Sequence, residues 1–164
     1  MKKLIFSLCI LVLSGVLSLA ALDGDSFNAA VDFPVTLEDL CNFVESQPAE
    51  VIQSVAGQDR IFLIMGVVDA RTIVPTENDE FLGEIEIVTG QWQGLEEVKM
   101  FRAVTRFQGQ QFAGMIPARR SRNANPNEIP LNVTVLEAVK LVGTREYSGT
   151  VIPVLEGLNI RIIR

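Results

Sequence analysis

Arginines in the second half of the chain are the residues whose type and spacing most clearly indicate a chemistry. Arg119, Arg120 and Arg122 lie within four positions, and Arg102 and Arg106 precede them on one face of a predicted strand. A guanidinium group forms bidentate, charge-assisted hydrogen bonds with carboxylate, phosphate and sulfate groups. These arginines therefore predict a binding surface for a small anion, an acidic glycan or an acidic protein. The alternative is a solvated loop whose arginines pair with acidic residues of the same chain.

Trp92, the only tryptophan in the chain, is a further candidate binding residue. It lies between Gly90 and Gly94, in what we predict to be a loop. An exposed tryptophan would anchor a sugar or a partner protein, because its ring offers a large apolar surface and its indole N–H a hydrogen bond. A tryptophan folded back over the end of the sheet would instead belong to the core, and the sequence leaves both interpretations open.

Carboxylates are the only acid–base candidates, because the chain contains no histidine. This absence argues against a histidine-based triad, the usual zinc ligand sets and a histidine pH switch. Glu84 and Glu86 share one face of a predicted strand, and a carboxylate pair could hydrolyse a glycoside, although such pairs are common on the solvated side of a sheet. The acidic residues 77–86 do not have EF-hand spacing. We expect no enzyme, catalytic residue, metal or cofactor, and keep a carboxylate hydrolase as an alternative.

Charge is unevenly distributed along the sequence. Residues 22–100 contain 16 acidic and 3 basic side chains, whereas residues 101–164 contain 9 basic and 4 acidic side chains. The overall negative charge argues against nucleic acid as a ligand, because neutralising phosphates requires a positive footprint. The asymmetry also suggests a second function, a structural subunit of a cell-envelope assembly. In that homo-oligomer the acidic half of one copy would contact the basic half of the next.

The N-terminus has the pattern of a secretory signal. Lys2 and Lys3 precede an apolar run over residues 4–13, and small residues follow up to Ala20 and Ala21, where we expect cleavage. We therefore predict a periplasmic or secreted protein. The alternative is an uncleaved membrane anchor, which needs about 20 apolar residues. After cleavage Cys41 would be the only cysteine, so we expect a small buried side chain and no internal disulfide.

The remaining sequence divides into a flexible lead over residues 22–35 and one domain over residues 36–164. Thr36 and Asp39 have capping-box spacing, and apolar residues then recur at helical spacing up to about residue 44. A buried apolar run with a central glycine, Gly66, predicts a long strand that bends or carries a bulge. We predict further strands over residues 85–89, 98–107, 131–142 and 150–164, the last broken at Gly157, and a long loop over residues 109–130.

These elements predict a mainly β fold, either a small OB-like barrel or a curled antiparallel sheet of about five strands, preceded by one short α-helix. Residues 40–44, a proline-containing break and the glycine-interrupted strand at residues 61–68 together resemble the start of exported bacterial OB-fold domains. OB domains bind oligomeric ligands on the face of their second and third strands, where Arg102 and Arg106 would lie. A β-sandwich is the main alternative fold.

The sequence as a whole predicts a non-catalytic periplasmic or secreted binding domain. Its expected partner is an envelope protein or an anionic glycan or small ligand, with no nucleic acid. We expect contact with a membrane only if the signal remains uncleaved.

Export can be tested by expressing the full chain in a bacterial host and sequencing the N-terminus of the purified protein. We expect the mature chain to begin at Ala21 or Leu22 and to leave the cytoplasmic fraction. A Leu11→Glu variant, which interrupts the apolar run, should keep its N-terminal lysines and stay in the cytoplasm. Retention of Lys2 and Lys3 in the exported protein would show an anchor instead.

Overall fold

The computed structural model describes residues 31–78, 80–117 and 126–163. In chain order its elements are β1 (Val31–Asp32), α1 (Leu37–Ser46), α2 (Ala49–Ala56), β2 (Ile61–Ile73), β3 (Leu82–Gln93), β4 (Glu97–Gln108), a 3-10 helix (Gln110–Phe112), β5 (Thr134–Tyr147) and β6 (Thr150–Ile162). None of the helices in this described part is long and apolar enough to cross a membrane.

Strands β2 to β6 close into a barrel. Neighbouring strands follow the order β2-β3-β4-β6-β5, and β2 also pairs with β5, which completes the ring. Strands β4 and β6 run parallel, whereas the other barrel pairs are antiparallel. This is the arrangement of a small OB-like barrel, so the predicted fold class is confirmed. The short β1 adds a sixth strand beside β2, and α2 is a second helix that the sequence left undecided.

Helix α1 begins as its sequence predicts. The Thr36 hydroxyl accepts a hydrogen bond from the Asp39 backbone N–H at 3.1 Å, and the Asp39 carboxylate accepts one from the Thr36 N–H at 2.9 Å. The Thr36 hydroxyl also donates to the Asp39 carboxylate at 2.6 Å, and this hydrogen bond, followed by the one from the Thr36 N–H, lowers the pKa of Asp39. The capping box thus gives partners to N–H groups that have none inside the helix. The buried face of α1, which includes Cys41, packs against β4 and β6. Burial raises the pKa of the Cys41 thiol to about 11, so the thiol is neutral.

Two local predictions were wrong, and a third was right only in part. Strand β2 is long and carries an irregularity, as predicted, but its register shift lies between Val68 and Ala70, just beyond the point next to Gly66 where the strand passes from pairing with β5 to pairing with β3. Residues 90–93, predicted as a loop, belong to β3 and pair with β4 as far as the turn. Gly157 does not break β6, which continues through a register shift opposite β5.

Phe107 on β4 packs tightly against Gly157 on β6, where these two strands of the barrel meet. The Phe107 side chain is completely buried on β4, and a Cβ added to Gly157 on β6 would lie only 2.2 Å from its Cε1. The ring therefore packs directly on the β6 backbone, immediately after the parallel pairing of β4 residues 104–106 with β6 residues 154–156. Only glycine leaves this space open.

A Gly157→Ala variant should lose stability, because its methyl group must displace the Phe107 ring or separate β6 from β4. Overpacking of this kind costs about 1–3 kcal/mol, and we expect the upper end because the ring has no solvent-exposed side into which it could move. Gly143→Ala on β5 is the matched control, since no atom lies within 4 Å of an added Cβ there. Urea unfolding of both variants measures the difference, and equal midpoints would contradict this packing.

Glu137 lies in the barrel interior as a buried carboxyl group. Its Oε2 accepts a hydrogen bond from the Thr105 hydroxyl at 2.6 Å, and its Oε1 has no hydrogen-bond partner among the described residues. Removal from water disfavours the charged form, and burial raises the pKa of Glu137 to about 8. The folded protein therefore holds a proton at neutral pH that the unfolded chain releases.

This difference predicts an unusual dependence of stability on pH. A carboxyl whose pKa is raised in the folded state stabilises the fold least at high pH, so the free energy of unfolding should fall as pH rises from about 5 to 8. The slope should approach about 1.4 kcal/mol per pH unit. No histidine titrates in this window, because the chain has none. Denaturant unfolding at pH 5, 6.5 and 8 should show this slope in the natural protein and a flat profile in Glu137→Gln. Parallel slopes in both proteins would assign the effect to other groups.

Candidate ligand-binding site

The outer face of β3 and β4 carries both strand arginines predicted to bind a ligand. Arg102 Nη1 lies 2.6 Å from Asp69 Oδ2 and also 2.6 Å from Glu86 Oε2. Arg106 Nε lies 3.0 Å from Glu84 Oε1. Both guanidinium groups are therefore already bound to carboxylates of the same chain, and an incoming anion would have to displace those carboxylates.

Glu84 connects three strands of this face. Besides Arg106 it accepts hydrogen bonds from Arg145 on β5, at 2.6 Å to Nη2 and 3.1 Å to Nη1. The hydrogen bonds from Arg145, followed by those from Arg106, hold the pKa of Glu84 below its usual value. An acid for glycoside hydrolysis needs a raised pKa, and Glu84 has a lowered one, so it does not fit that role.

Ion pairs join the acidic and basic parts of the sequence within one molecule. Seven of the eight lysines and arginines among the described residues lie within 4.0 Å of a carboxylate. Five pairs connect a basic residue after position 100 to an acidic residue before it. These are Arg102–Asp69, Arg102–Glu86, Arg106–Glu84, Arg145–Glu84 and Lys140–Asp59. The charges of the two halves therefore neutralise each other internally, which was the alternative interpretation of the arginines.

Trp92 is exposed near the end of the β3–β4 hairpin. Its ring has 70% of its surface open to solvent, and Trp92 lies opposite Val98 in the strand register. Val98 and Met100 lie over Gly90, where an added Cβ would be 2.9 Å from Val98 Cγ1 and 3.2 Å from Met100 Sδ. Leu95 in the turn is 96% exposed. Trp92, Leu95, Val98 and Met100 thus form a surface that we call the apolar strip, and Trp92 is not part of the core.

A cleft opens beside the apolar strip, where β4 and β6 diverge before their parallel pairing begins. Its volume is about 370 Å³, and its lining residues come from α1, β4 and the β5–β6 turn. They are Cys41, Glu45, Lys99, Met100, Phe101, Arg102, Tyr147, Ser148, Thr150, Val151 and Ile152. Arg102 forms one wall, with its guanidinium carbon 4.8 Å from the centre of the Tyr147 ring. Met100 belongs both to this cleft and to the apolar strip.

Two charged side chains of opposite sign stand at the cleft. Lys99 Nζ lies 4.8 Å from the centre of the Phe101 ring and 3.8 Å from Glu45 Oε2, near the limit for an ion pair. The Glu45 side chain is 56% exposed. Both groups can therefore contact a ligand without breaking a short internal hydrogen bond to each other.

The cleft could not be found from the sequence, because the predicted fourth strand ended at residue 142, whereas β5 continues to Tyr147 and the turn consists of Ser148 and Gly149. Both turn residues have positive φ, 51° and 84°, as a two-residue type I′ turn requires. The available signal was a serine and a glycine directly before the β-branched residues 150–152.

The cluster of three arginines and the acidic residues were the other candidate sites. Arg119, Arg120 and Arg122 fall outside the described residues, so their role stays a prediction. Within residues 31–78, 80–117 and 126–163, no group of three acidic or cysteine side chains is placed to hold a metal ion.

No protein-family model and no curated protein matches the chain. Among solved structures, the N-terminal domain of PriB from Thermoanaerobacter tencongensis is 12% identical, with a TM-score of 0.40 over 63% of this chain and 96% of that one. The SSB of Plasmodium falciparum in complex with ssDNA is 10% identical, with a TM-score of 0.45 over 63% and 94%. The single-stranded DNA binding protein of Thermus aquaticus is 11% identical, with a TM-score of 0.42 over 63% and 49%. Likeness at this level concerns the fold alone.

The comparison corrects the predicted class of partner. Two of these structures are named for single-stranded DNA, and none of the three is named for an envelope protein, a glycan or a small anion. The prediction of an envelope protein, anionic glycan or small anion as partner, with nucleic acid excluded, is therefore wrong. The alternative of a self-associating envelope subunit is withdrawn with it. The predicted export depends on residues outside the described part and stays a prediction.

Both parts of this error have a physical cause. Arg102 and Arg106, two of the arginines expected to bind an anion, already bind Asp69, Glu84 and Glu86. The exclusion of nucleic acid relied on the net charge of the whole chain, whereas single-strand binding also depends on aromatic surfaces, which are local and need no net positive charge.

Proposed function

We propose that the chain is a non-catalytic OB domain that binds a single strand of nucleic acid through the apolar strip on its β3–β4 hairpin. The observation that carries this proposal is the exposed ring of Trp92, in line with Val98 and Met100 on the face that OB domains use for oligomeric ligands. The support is the surface itself, since the likeness to solved structures concerns the fold alone.

Base stacking is the interaction that this strip can provide. Each base stacked on an aromatic side chain contributes about 1–3 kcal/mol, largely independent of sequence, because every base has a π face. Trp92 can stack one base in this way, and Val98 and Met100, which are about 7 Å apart on the neighbouring strand, offer apolar contact to the next base. Single-strand affinity would then come mainly from these contacts.

Charge should contribute little to this affinity. Among the described residues near the strip, Lys99 is the cation without a short ion pair. For single strands the logarithm of the affinity falls by about 0.7 per neutralised phosphate for each tenfold rise in salt. We therefore expect a shallow salt dependence, with a slope no steeper than about −0.7.

Trp92 fluorescence tests the proposal directly, because the protein has no other tryptophan. Titration with a 12-nucleotide oligothymidylate should quench the emission. With a dye-labelled strand, Trp92→Ala should lose at least tenfold in affinity by anisotropy, which is about 1.4 kcal/mol, whereas Trp92→Phe should retain most of it. Val51→Ala, at another exposed apolar site on α2, is the control for surface area.

The outcomes separate the contributions. No quenching at low salt would overturn the proposal. Binding with a slope near −3 would contradict a stacking surface and would implicate Arg119, Arg120 and Arg122, whose joint replacement by alanine should then flatten the slope.

An uncharged oligosaccharide is a second candidate ligand. It is favoured by the exposed carboxylates of Glu96 and Glu97 in the same hairpin, which repel phosphates but can accept hydrogen bonds from sugar hydroxyls. Sugar rings also stack on tryptophan through their apolar faces. Quenching of Trp92 by a neutral glucose or N-acetylglucosamine oligomer, independent of salt and without a response to oligothymidylate, would support this candidate instead.

A further inference from the structure

We infer that the cleft between α1, β4 and β6 holds one base of the bound strand, and that Glu45 selects bases with an amino group on their pairing edge. This inference rests on the proposed function, because it places the next nucleotide of a strand already stacked on the apolar strip. Met100 joins the two surfaces, since it belongs to both.

The size and lining of the cleft fit one nucleotide. About 370 Å³ lies in the lower part of the range for small-molecule pockets, so the cleft has room for a base with its sugar. Phe101, Val151 and Ile152 supply apolar surface for the base. The hydroxyls of Ser148 and Thr150 can both donate and accept hydrogen bonds to its edge.

The two charges at the cleft match the two ends of a nucleotide. Lys99 has three N–H donors, and its partners Asn42 and Glu45 lie at 3.4 Å and 3.8 Å, so a phosphate oxygen can displace either. Glu45 is a carboxylate that can only accept hydrogen bonds when ionised. An acceptor beside a base favours cytosine, whose N4 amino group donates, over thymine or uracil, whose O4 accepts. Adenine carries a comparable donor at N6.

The neighbouring Arg102 does not reverse this preference. Its guanidinium group is bound to Asp69 and Glu86 and stacked on Tyr147, so it serves as a wall of the cleft. Thymine O4 and the Glu45 carboxylate are both hydrogen-bond acceptors, so no hydrogen bond can form between them. A good hydrogen-bonded match discriminates between bases by about 1–3 kcal/mol, which corresponds to about 5- to 150-fold in affinity.

The test compares two strands and two mononucleotides on the full chain. Oligothymidylate with one central cytosine should bind at least about fivefold more tightly than uniform oligothymidylate, and cytidine monophosphate should bind more tightly than uridine monophosphate. Glu45→Gln, whose amide can both donate and accept, should remove both preferences while leaving the quenching of Trp92 unchanged. Glu50→Gln, an equal change of charge on α2, should keep them.

The results distinguish the inference from the proposed function. Trp92 quenching with equal affinity for both strands and both mononucleotides would overturn the inference and leave single-strand binding intact. If the protein discriminates between the mononucleotides but binds neither strand, the cleft binds a base as inferred, and the proposal that the apolar strip binds a single strand is wrong. A preference that survives in Glu45→Gln would remove Glu45 as the selecting residue.

Discussion

The packing of Phe107 on the bare backbone of Gly157 is the contact on which the rest of the barrel depends. It brings β4 and β6 together where they pair in parallel, and that pairing extends over only three residues on each strand. Before this point the two strands separate, and the cleft lies in the gap. On its other edge β4 pairs with β3 over its whole length. One strand therefore forms both the cleft and the hairpin that carries Trp92.

The ion pairs on the outer face have a different role from the one that their arginines suggest. Single surface ion pairs are worth about 0–1 kcal/mol each, whereas bidentate pairs and networks, such as Arg145 and Arg106 on Glu84, can contribute to stability. The network also affects recognition, because Glu84 and Glu86 occupy guanidinium groups that would otherwise attract anions. Near Arg102 the outer face of β3 and β4 is therefore polar, with its charges paired, whereas near Trp92 it is apolar. A ligand that lies along the whole hairpin must contact both kinds of surface.

Local sequence signals predicted the elements well, and long-range pairing explains the failures. The capping box at Thr36 and the alternation in β4 depend on neighbouring residues, so the sequence contained what was needed. The outward placement of Arg102 and Arg106 followed from the same alternation. Their partners could not be found this way, because the contacts of Arg102 join residues 16 and 33 positions apart. The glycines near Trp92 indicate a turn when only neighbouring residues are considered, although Gly90 is a strand residue covered by Val98 and Met100.

The balance between stacking and repulsion decides whether an acidic barrel can hold a single strand. Two unit charges 4 Å apart in water interact by about 1 kcal/mol, and ions at physiological strength screen charges beyond about 8 Å. Carboxylates on the far side of the barrel therefore contribute little, whereas Glu96 and Glu97 in the same hairpin and Glu45 beside Lys99 oppose a phosphate more directly. One base stacked on Trp92 contributes about 1–3 kcal/mol, which is of the same size as that opposition, so apolar contacts to Val98 and Met100 must add to it. Net charge mainly affects the rate at which such a protein associates with a charged ligand, whereas the short-range contacts around Trp92 determine the affinity.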